Sequence, residues 1–453
     1  MFKSLLLKYL KNSSLHGVKH LTNVNRNHSI EMVFWTLTIA VIFLFASYNT
    51  SLVWLRYLYN STVITIDREY LYRNTTFPPI TLCLRDRLNK TAAEEFLIAR
   101  NFTPEQRGDP KMINFLKVLS NFNINNLGEL IDIKQNYFRV DEYLNVLDKI
   151  SNKFPHNISL SFISTSDEHL FDPVLIDTLG LCYTFNSKIS SFFSPSYIGS
   201  KDMKIDTTHK MTEEINYFDG DASAVTSDLS HNVDVYYHGP YSLASDLRKV
   251  VNENPTQKSY MTLSIVPVII KSQDKIRNLF EFQRQCKFTE ENVLSFFPNI
   301  YSQDLCFYEC RMKKLKDICK CIPFFYKRRD GNDRQCSTQG LKCVVRNRAI
   351  LDSLQVGSGC QCPKDCNDIK YSLQSSTSMI WFHDSRISWK VIQTKVIYKR
   401  ELIHDTIEAL ILTGACFSLF TGMSCLSIVE LFFFIHFLFK NDRKSGKKAL
   451  KQK

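Results

Sequence analysis

Thr406 to Phe439 reads TIEALILTGACFSLFTGMSCLSIVELFFFIHFLF, a run of 34 mostly apolar residues that ends at a basic tail. A bilayer core of roughly 30 Å needs only about 20 apolar residues as a helix, so the run exceeds what a simple anchor requires. Gly414, Ser418, Gly422, Ser424 and Ser427 interrupt it, Glu408 sits near its start, and Glu430 falls inside its apolar part. An ionised carboxylate there costs about 2.5 to 3.5 kcal/mol on insertion scales, so by default it faces protein or water. At helical spacing Glu408, Ile411, Ala415, Ser418 and Gly422 share one face, which beyond Glu408 and Ile411 is narrow, small and partly polar. A pore lining is one reading of that face and a helix-packing seam is another. A Glu430 solvated near the cytosol would need no pore.

Working outward, hydropathy divides the 453 residues into a tail (1–31), a span (32–55), a large soluble middle (56–403), the closing run (404–439) and a second tail (440–453). The two tails carry +10 of the +12 net charge. That is the positive-inside pattern for two cytoplasmic ends, which can also rest on anionic lipid, and it argues against nucleic acid as the partner. Twelve of fourteen cysteines lie between the spans, the other two being Cys416 and Cys425, and the middle carries glycosylation sequons at Asn60, Asn74, Asn89, Asn101 and Asn157. Both features place the middle in an oxidising, extracellular compartment. Lys8 and Lys11 break the short apolar N-terminus, so no cleavable signal is expected. Met32 to Leu55, with Trp35, Trp54 and Tyr57 near its ends, then serves as signal anchor.

Along the chain, Asn12 to Leu21 contains a lone His16-Gly17 pair, chemically almost silent and readable as a turn before a membrane helix. Pro78 and Pro79 stop a helix, and Ile80 to Cys83 suits a strand. Ala92 to Ala99 and Asp141 to Ile150 are amphipathic and predict surface helices of a peripheral subdomain. Gly180 to Asn186, Val233 to Tyr237 and Thr262 to Lys271 predict strands, and Tyr371 to Glu401 one last extended segment. Ten cysteines crowd residues 286–366, predicting a stiff, stalk-like module with little core of its own. Zinc is disfavoured there, because Cys319-Lys-Cys321 and Cys360-Gln-Cys362 are spaced more tightly than structural zinc pairs and an extracellular setting oxidises thiols. Spacing alone leaves the disulfide pairing open.

With these pieces in place, the chain resembles the epithelial sodium channel and degenerin family over nearly its whole length, most closely the arthropod pickpocket-type subunits. The matches are Asn12 to Gly17, Phe77 to Cys83, Gly180 to Asn186, Cys306 to Phe325, Cys360 to Cys366 and Gly422 to Glu430, in the family's order. The resemblance implies an integral membrane α+β protein: two transmembrane helices, a large disulfide-rich, β-containing extracellular domain, and a trimeric channel architecture. It implies that Gly422, Met423 and Ser424 form the selectivity filter, where the helix opens and backbone carbonyls face the ion, and that His16 and Gly17 are a cytoplasmic gating pair. It also implies disulfides joining Cys83 with Cys182, Cys286 with Cys366, Cys306 with Cys362, Cys310 with Cys360, Cys319 with Cys343 and Cys321 with Cys336. One departure stands out: Ile411 occupies a position, eleven before the filter glycine, where the family usually has a small residue and where bulk is associated with channels that stay open. Gly414-Ala415 likewise replaces a common glycine pair.

The expected function is a subunit of a sodium-selective, amiloride-sensitive cation channel of the plasma membrane, a homo- or heterotrimer with related subunits, gated by an extracellular stimulus or constitutively open. Asp405 and Glu408 would raise cation concentration at the mouth. Glu430, eight helical residues past Gly422, would lie some 12 Å further in. Sodium is the permeant ion and no cofactor is implied. Ile411 keeps alive a non-conducting receptor or regulatory subunit of the same architecture. An enzyme is disfavoured: there is no G-x-S-x-G elbow, no H-E-x-x-H and no phosphate-cradling glycine loop, and the scattered histidines read as surface residues.

Overall fold

The computed structural model describes residues 9–436 except 12, 14, 23–28, 70, 72–73, 133–136, 155–157, 162–170, 201–211, 230–232, 246–247, 251–257, 292, 330–332 and 350–358. Residues 1–8, Asn12 of the His-Gly stretch, the sequon Asn157, the end of the closing run at 437–439 and the tail 440–453 therefore lie outside the described residues. The chain divides into two units, one of residues 1–63, 273–284 and 401–453, the other of residues 64–272 and 285–400.

In chain order, α1 (Ser29–Tyr59) overruns the expected span at both ends, since neither Pro nor Gly interrupts its sequence. Then follow β1 (Thr62–Asp67), β2 (Ile80–Leu84), α2 (Lys90–Ala99), α3 (Pro110–Ser120), α4 (Leu127–Asp132) and α5 (Tyr143–Ile150). Next come β3 (Ile158–Leu160), β4 (Asp172–Ile176), β5 (Gly180–Phe185), β6 (Ser223–Leu229), β7 (Val233–Tyr237), β8 (Lys249–Val250) and β9 (Ser259–Ser272). The chain closes with α6 (Gln303–Cys319), α7 (Thr338–Arg346), β10 (Asp368–Ile380), β11 (Ser385–Val391), β12 (Ile397–Leu402), α8 (Thr406–Thr421) and α9 (Cys425–His436).

Two sheets frame the larger unit. The seven-stranded one runs β1-β12-β9-β11-β6-β3, with β10 also on β9; the five-stranded one runs β8-β7-β2-β5-β4. The long β9 takes β10 antiparallel along one edge and β11, then β12, parallel along the other. Tyr371 to Glu401 is thus three strands, not one extended segment. At about 3.3 Å per residue a single strand of that length would reach about 100 Å, far beyond what a domain accommodates. β2 and β5 are buried at every position, which is why they read as continuous apolar runs without alternation.

Two further expectations are corrected. Helices α2–α5 do not form a subdomain with a separate core, and the cysteine-rich segment, expected to have little core of its own, shares theirs. Phe115, Leu119, Phe122, Leu147 and Ile150 share one buried cluster with Phe296, Leu305, Met312, Phe324 and Phe325. The helical spacing of Leu305, Tyr308, Met312 and Leu315 in α6 was camouflaged by the Lys, Arg and Cys residues between them. A second cluster packs Phe77, Phe185 and Trp389 between strands of the two sheets, their rings within 6.0–6.4 Å of one another.

Disulfides join Cys83–Cys182, Cys286–Cys366, Cys306–Cys362, Cys310–Cys360, Cys319–Cys343 and Cys321–Cys336, while Cys416 and Cys425 are free. Cys306 and Cys310 are one turn apart on α6, a rise of about 6 Å, which two residues of extended chain also span. Cys362 and Cys360 therefore meet them as two rungs of a ladder.

Buried polar groups pin the body. The Arg87 guanidinium donates to the carbonyls of Leu84 (3.0 Å), Phe122 (3.2 Å) and Leu179 (2.6 Å), and burial pulls its pKa down to about 10. Gly180 must be glycine beside it: φ is +79°, and a Cβ would stand 1.9 Å from the Phe122 oxygen and 2.3 Å from the Arg87 guanidinium. His238 departs from the reading of histidines as surface residues. It is buried, 2.8 Å from the Thr81 hydroxyl and 2.9 Å from the Gly239 carbonyl, and burial holds its pKa at about 4. Of the described sequons, Asn60, Asn74 and Asn101 are exposed. Asn89 is half-buried and caps α2, its Oδ1 accepting from the Ala92 amide at 3.0 Å.

Candidate functional site

The smaller unit is built from α1, α8, α9 and the short segments joined to them. Only 6% of the most apolar window of α1 is buried; Val33, Phe34, Leu37, Val41 and Leu44 all face outward. A surface of that composition is stable only against lipid or other apolar partners.

Several polar groups of these helices find partners inside the unit, as a low-dielectric surround favours. Trp54 Nε1 donates to Thr413 Oγ1 at 3.0 Å, and the Tyr57 and Thr406 hydroxyls lie 2.8 Å apart. Phe43 meets Phe417 and Phe45 meets Phe420. Together with the fully buried Ala409, these contacts mark the face of α8 that α1 covers. At about 100° per residue, Glu408, Ile411, Ala415 and Ser418 fall on the opposite face, and all four are exposed.

The closing run is not one continuous helix. α8 ends at Gly422, whose left-handed backbone (φ +68°) brings its N–H onto the Ser418 carbonyl, and α9 starts three residues later at a bend of 77°. Ser424 restarts the helix. Its Oγ accepts from the Ser427 amide and the Ser427 Oγ accepts from the Ser424 amide, both at 3.2 Å, a reciprocal cap that the S-x-x-S spelling encodes. The bend also corrects the position of Glu430: α9 travels largely sideways relative to α8, so a straight 12 Å descent does not apply. At the other end, Asp405 and Glu408 form a capping box, Asp405 Oδ1 accepting from the Thr406 amide at 2.6 Å. Their charges sit at the positive end of the helix dipole, and His404 Nδ1 lies 3.4 Å from Glu408.

A break in an apolar run leaves helix-end carbonyls without intrahelical partners. One of them, on Thr421, accepts from the His16 amide at 2.9 Å. The imidazole of His16 lies flat enough on Gly422 that a Cβ there would come within 2.8 Å of the ring. Gly17 has φ +79° and would, with a Cβ, meet Ile39 at 3.2 Å; His20 stacks on Trp35 at 4.2 Å. The structure therefore brings the His-Gly pair and the Gly-Met-Ser triplet, some four hundred residues apart in sequence, into contact. Nothing local in either motif announces that contact, although the two glycines needing positive φ could have been suspected.

The family model for amiloride-sensitive sodium channels matches residues 9–434. Pickpocket protein 28 of Drosophila melanogaster is 25% identical over 507 aligned positions, covering 96% of this chain and 78% of that protein. Sodium channel protein Nach of Drosophila ananassae is 22% identical, covering 95% and 86%, and pickpocket protein 19 of Drosophila melanogaster is 23% identical, covering 95% and 90%. With its apolar N-terminal helix, its disulfide-rich body and a family match spanning both, this chain belongs to the amiloride-sensitive sodium channel family: it is a membrane channel protein and not an enzyme.

Proposed function

We propose that this protein is a subunit of a trimeric, sodium-selective and amiloride-sensitive channel of the plasma membrane, with α8 lining the pore. The observation that carries the reading is the break at Gly422–Ser424. Non-helical backbone at membrane depth is tolerated only where it lines water or is buried in protein, and the break lies just below an exposed stripe on the face that α1 leaves uncovered. One helix cannot enclose a conduit, so the reading requires several copies or related chains. In it, carbonyls and hydroxyls of Gly422, Met423 and Ser424 replace part of the ion's hydration shell. Asp405 and Glu408 attract cations to the mouth, and the His16–Gly17 turn is the gating element, since it holds the Thr421 carbonyl and covers Gly422. Glu430 lies beyond the break on α9. The basic tails keep both termini in the cytosol, and Asn60, Asn74 and Asn101 carry glycans on the outside.

The test is whole-cell current on expression, alone and with related subunits, with sodium replaced by a large organic cation and with an amiloride-type blocker added. Current that vanishes on both manipulations supports the reading; current carried equally by the organic cation overturns it. Ile411 favours a second reading. It is 63% exposed in the middle of the stripe, where a branched side chain either props the pore open or blocks it, leaving a non-conducting regulatory subunit. Comparing resting current in the parent and in Ile411→Gly separates the two: the variant lowers it if bulk holds the pore open and raises it if bulk blocks conduction.

A further inference from the structure

We propose that Phe280 and Phe282 are a membrane-interface anchor, seating the segment Gln273–Arg284 in the lipid headgroup layer at the Tyr59 end of α1. The two rings are 71% and 57% exposed and stack on each other, centroids 5.7 Å apart with planes 14° from parallel. They are held outward by a closed turn. The Gln283 amide donates to the Phe280 carbonyl at 2.9 Å, and the Gln283 side-chain oxygen accepts from the Phe280 amide at 3.2 Å. Gln283 itself is buried, as is Ile276 earlier in the segment, so the turn cannot roll over to hide the rings without exposing its own packed side.

The occupant follows from where this turn is fastened. The Gln283 carbonyl accepts from Ser61 Oγ at 2.9 Å, and its side-chain amide reaches the Tyr57 carbonyl at 3.5 Å. The Ile403 amide donates to the Ser61 carbonyl at 2.8 Å, placing the entry to α8 at the same level. This is the end of the lipid-facing surface of α1, marked by Trp54, Tyr57 and the exposed Tyr59, residue types that collect at headgroup depth. The Phe280–Phe282 pair thus sits on a turn bonded directly to the end of that apolar surface, at Tyr57 and Ser61. Contiguous exposed rings next to a membrane helix are satisfied by lipid. The depth is limited by Glu281, exposed between the two rings, and by the exposed Lys275 and Arg277. These charges suit headgroups and exclude the hydrocarbon centre.

The anchor rests on α1 crossing a bilayer and not on ion conduction, so a channel that fails to conduct would leave it standing. To test it, p-benzoylphenylalanine is placed at position 280 or 282 of the full chain in vesicles of phosphatidylcholine and phosphatidylserine. A third sample carries it at 218, where Phe218 is 72% exposed on the other unit. After illumination, mass spectrometry should find phospholipid adducts at 280 and 282 and none at 218. Adducts to a second copy of the chain, or no adducts at all, would overturn the proposal. A second readout avoids the bulky probe: the emission added by Phe280→Trp or Phe282→Trp should be quenched by brominated phosphatidylcholine. Quenching by aqueous iodide alone would place the rings in water and sink the idea.

Discussion

The two units hold their shape by opposite means. In the body, Phe115, Phe122, Leu305 and Phe325 are buried almost completely, six disulfides staple the chain, and a charge such as Arg87 is enclosed by carbonyls. In the membrane unit many large apolar side chains point outward, Leu37, Val41, Leu44 and Phe432 among them, and a few hydrogen bonds such as Trp54 to Thr413 set how the helices meet. The difference is one of solvent. Water drives apolar groups inward, so the body is specified by packing. Lipid gives no such push, so the membrane unit is specified by satisfying its polar backbone and by close contacts at small residues. A glycine illustrates each side: Gly180 makes room for a buried arginine and a carbonyl, Gly422 for the ring of His16.

The comparison breaks most sharply at Gly180. Gly180→Ala puts a Cβ on the Phe122 oxygen in a left-handed conformation, and we expect a loss of about 4 kcal/mol or more, read as chain that fails to reach the cell surface. Surface levels equal to the parent would show that the body can yield there. Removing the ladder rung with Cys310→Ser and Cys360→Ser together should cost about 2 to 5 kcal/mol in thermal unfolding of the solubilised protein. The channels that still reach the surface should keep the parent's ion selectivity.

Gly422→Ala should cost only about 1 to 2 kcal/mol of backbone strain and leave the body folded, yet change or abolish sodium current. Adding His16→Ala removes the ring that the new Cβ meets and should restore part of the current. Failure of that rescue would separate the two motifs functionally.

A pH dependence is expected at Asp365. Burial, helped by Asp368, pushes the Asp365 carboxyl from 3.8 up to about 7. The folded state therefore holds this proton more tightly than the unfolded chain, and the associated stability is complete below about pH 4 and lost as pH rises through 7. Asp365→Asn should raise the melting temperature at pH 8 and leave it unchanged or lower at pH 4; a parallel shift at both would refute the assignment. Smallest of all, Trp54→Phe should loosen the contact between α1 and α8 by about 0.6 kcal/mol, seen as a modest change in open probability with no loss of surface protein.

Much of this molecule was legible in the residues. The two apolar runs, the charge of the tails, the strands Ile80–Leu84, Gly180–Phe185 and Val233–Tyr237, and the helices ending at Ala99 and Ile150 all follow from local pattern. The strand at Thr62–Asp67 and the helix Gln303–Cys319 did not, because the first abuts a membrane helix and the second hides its apolar stripe among lysines and cysteines. The disulfide partners were unreadable from spacing, since pairing is a property of positions in space.

What the sequence determined by itself is which segments avoid water, where helices must stop, and that Gly422 and Ser424 can end one helix and begin another; these depend on each residue and its near neighbours. What only the tertiary structure decided is which face of α8 is covered by α1, that His16 lies on Gly422, and that the cysteine-rich segment shares a core with helices 150 residues earlier. Such contacts join residues far apart along the chain, and their energies arise only once folding has brought the partners together.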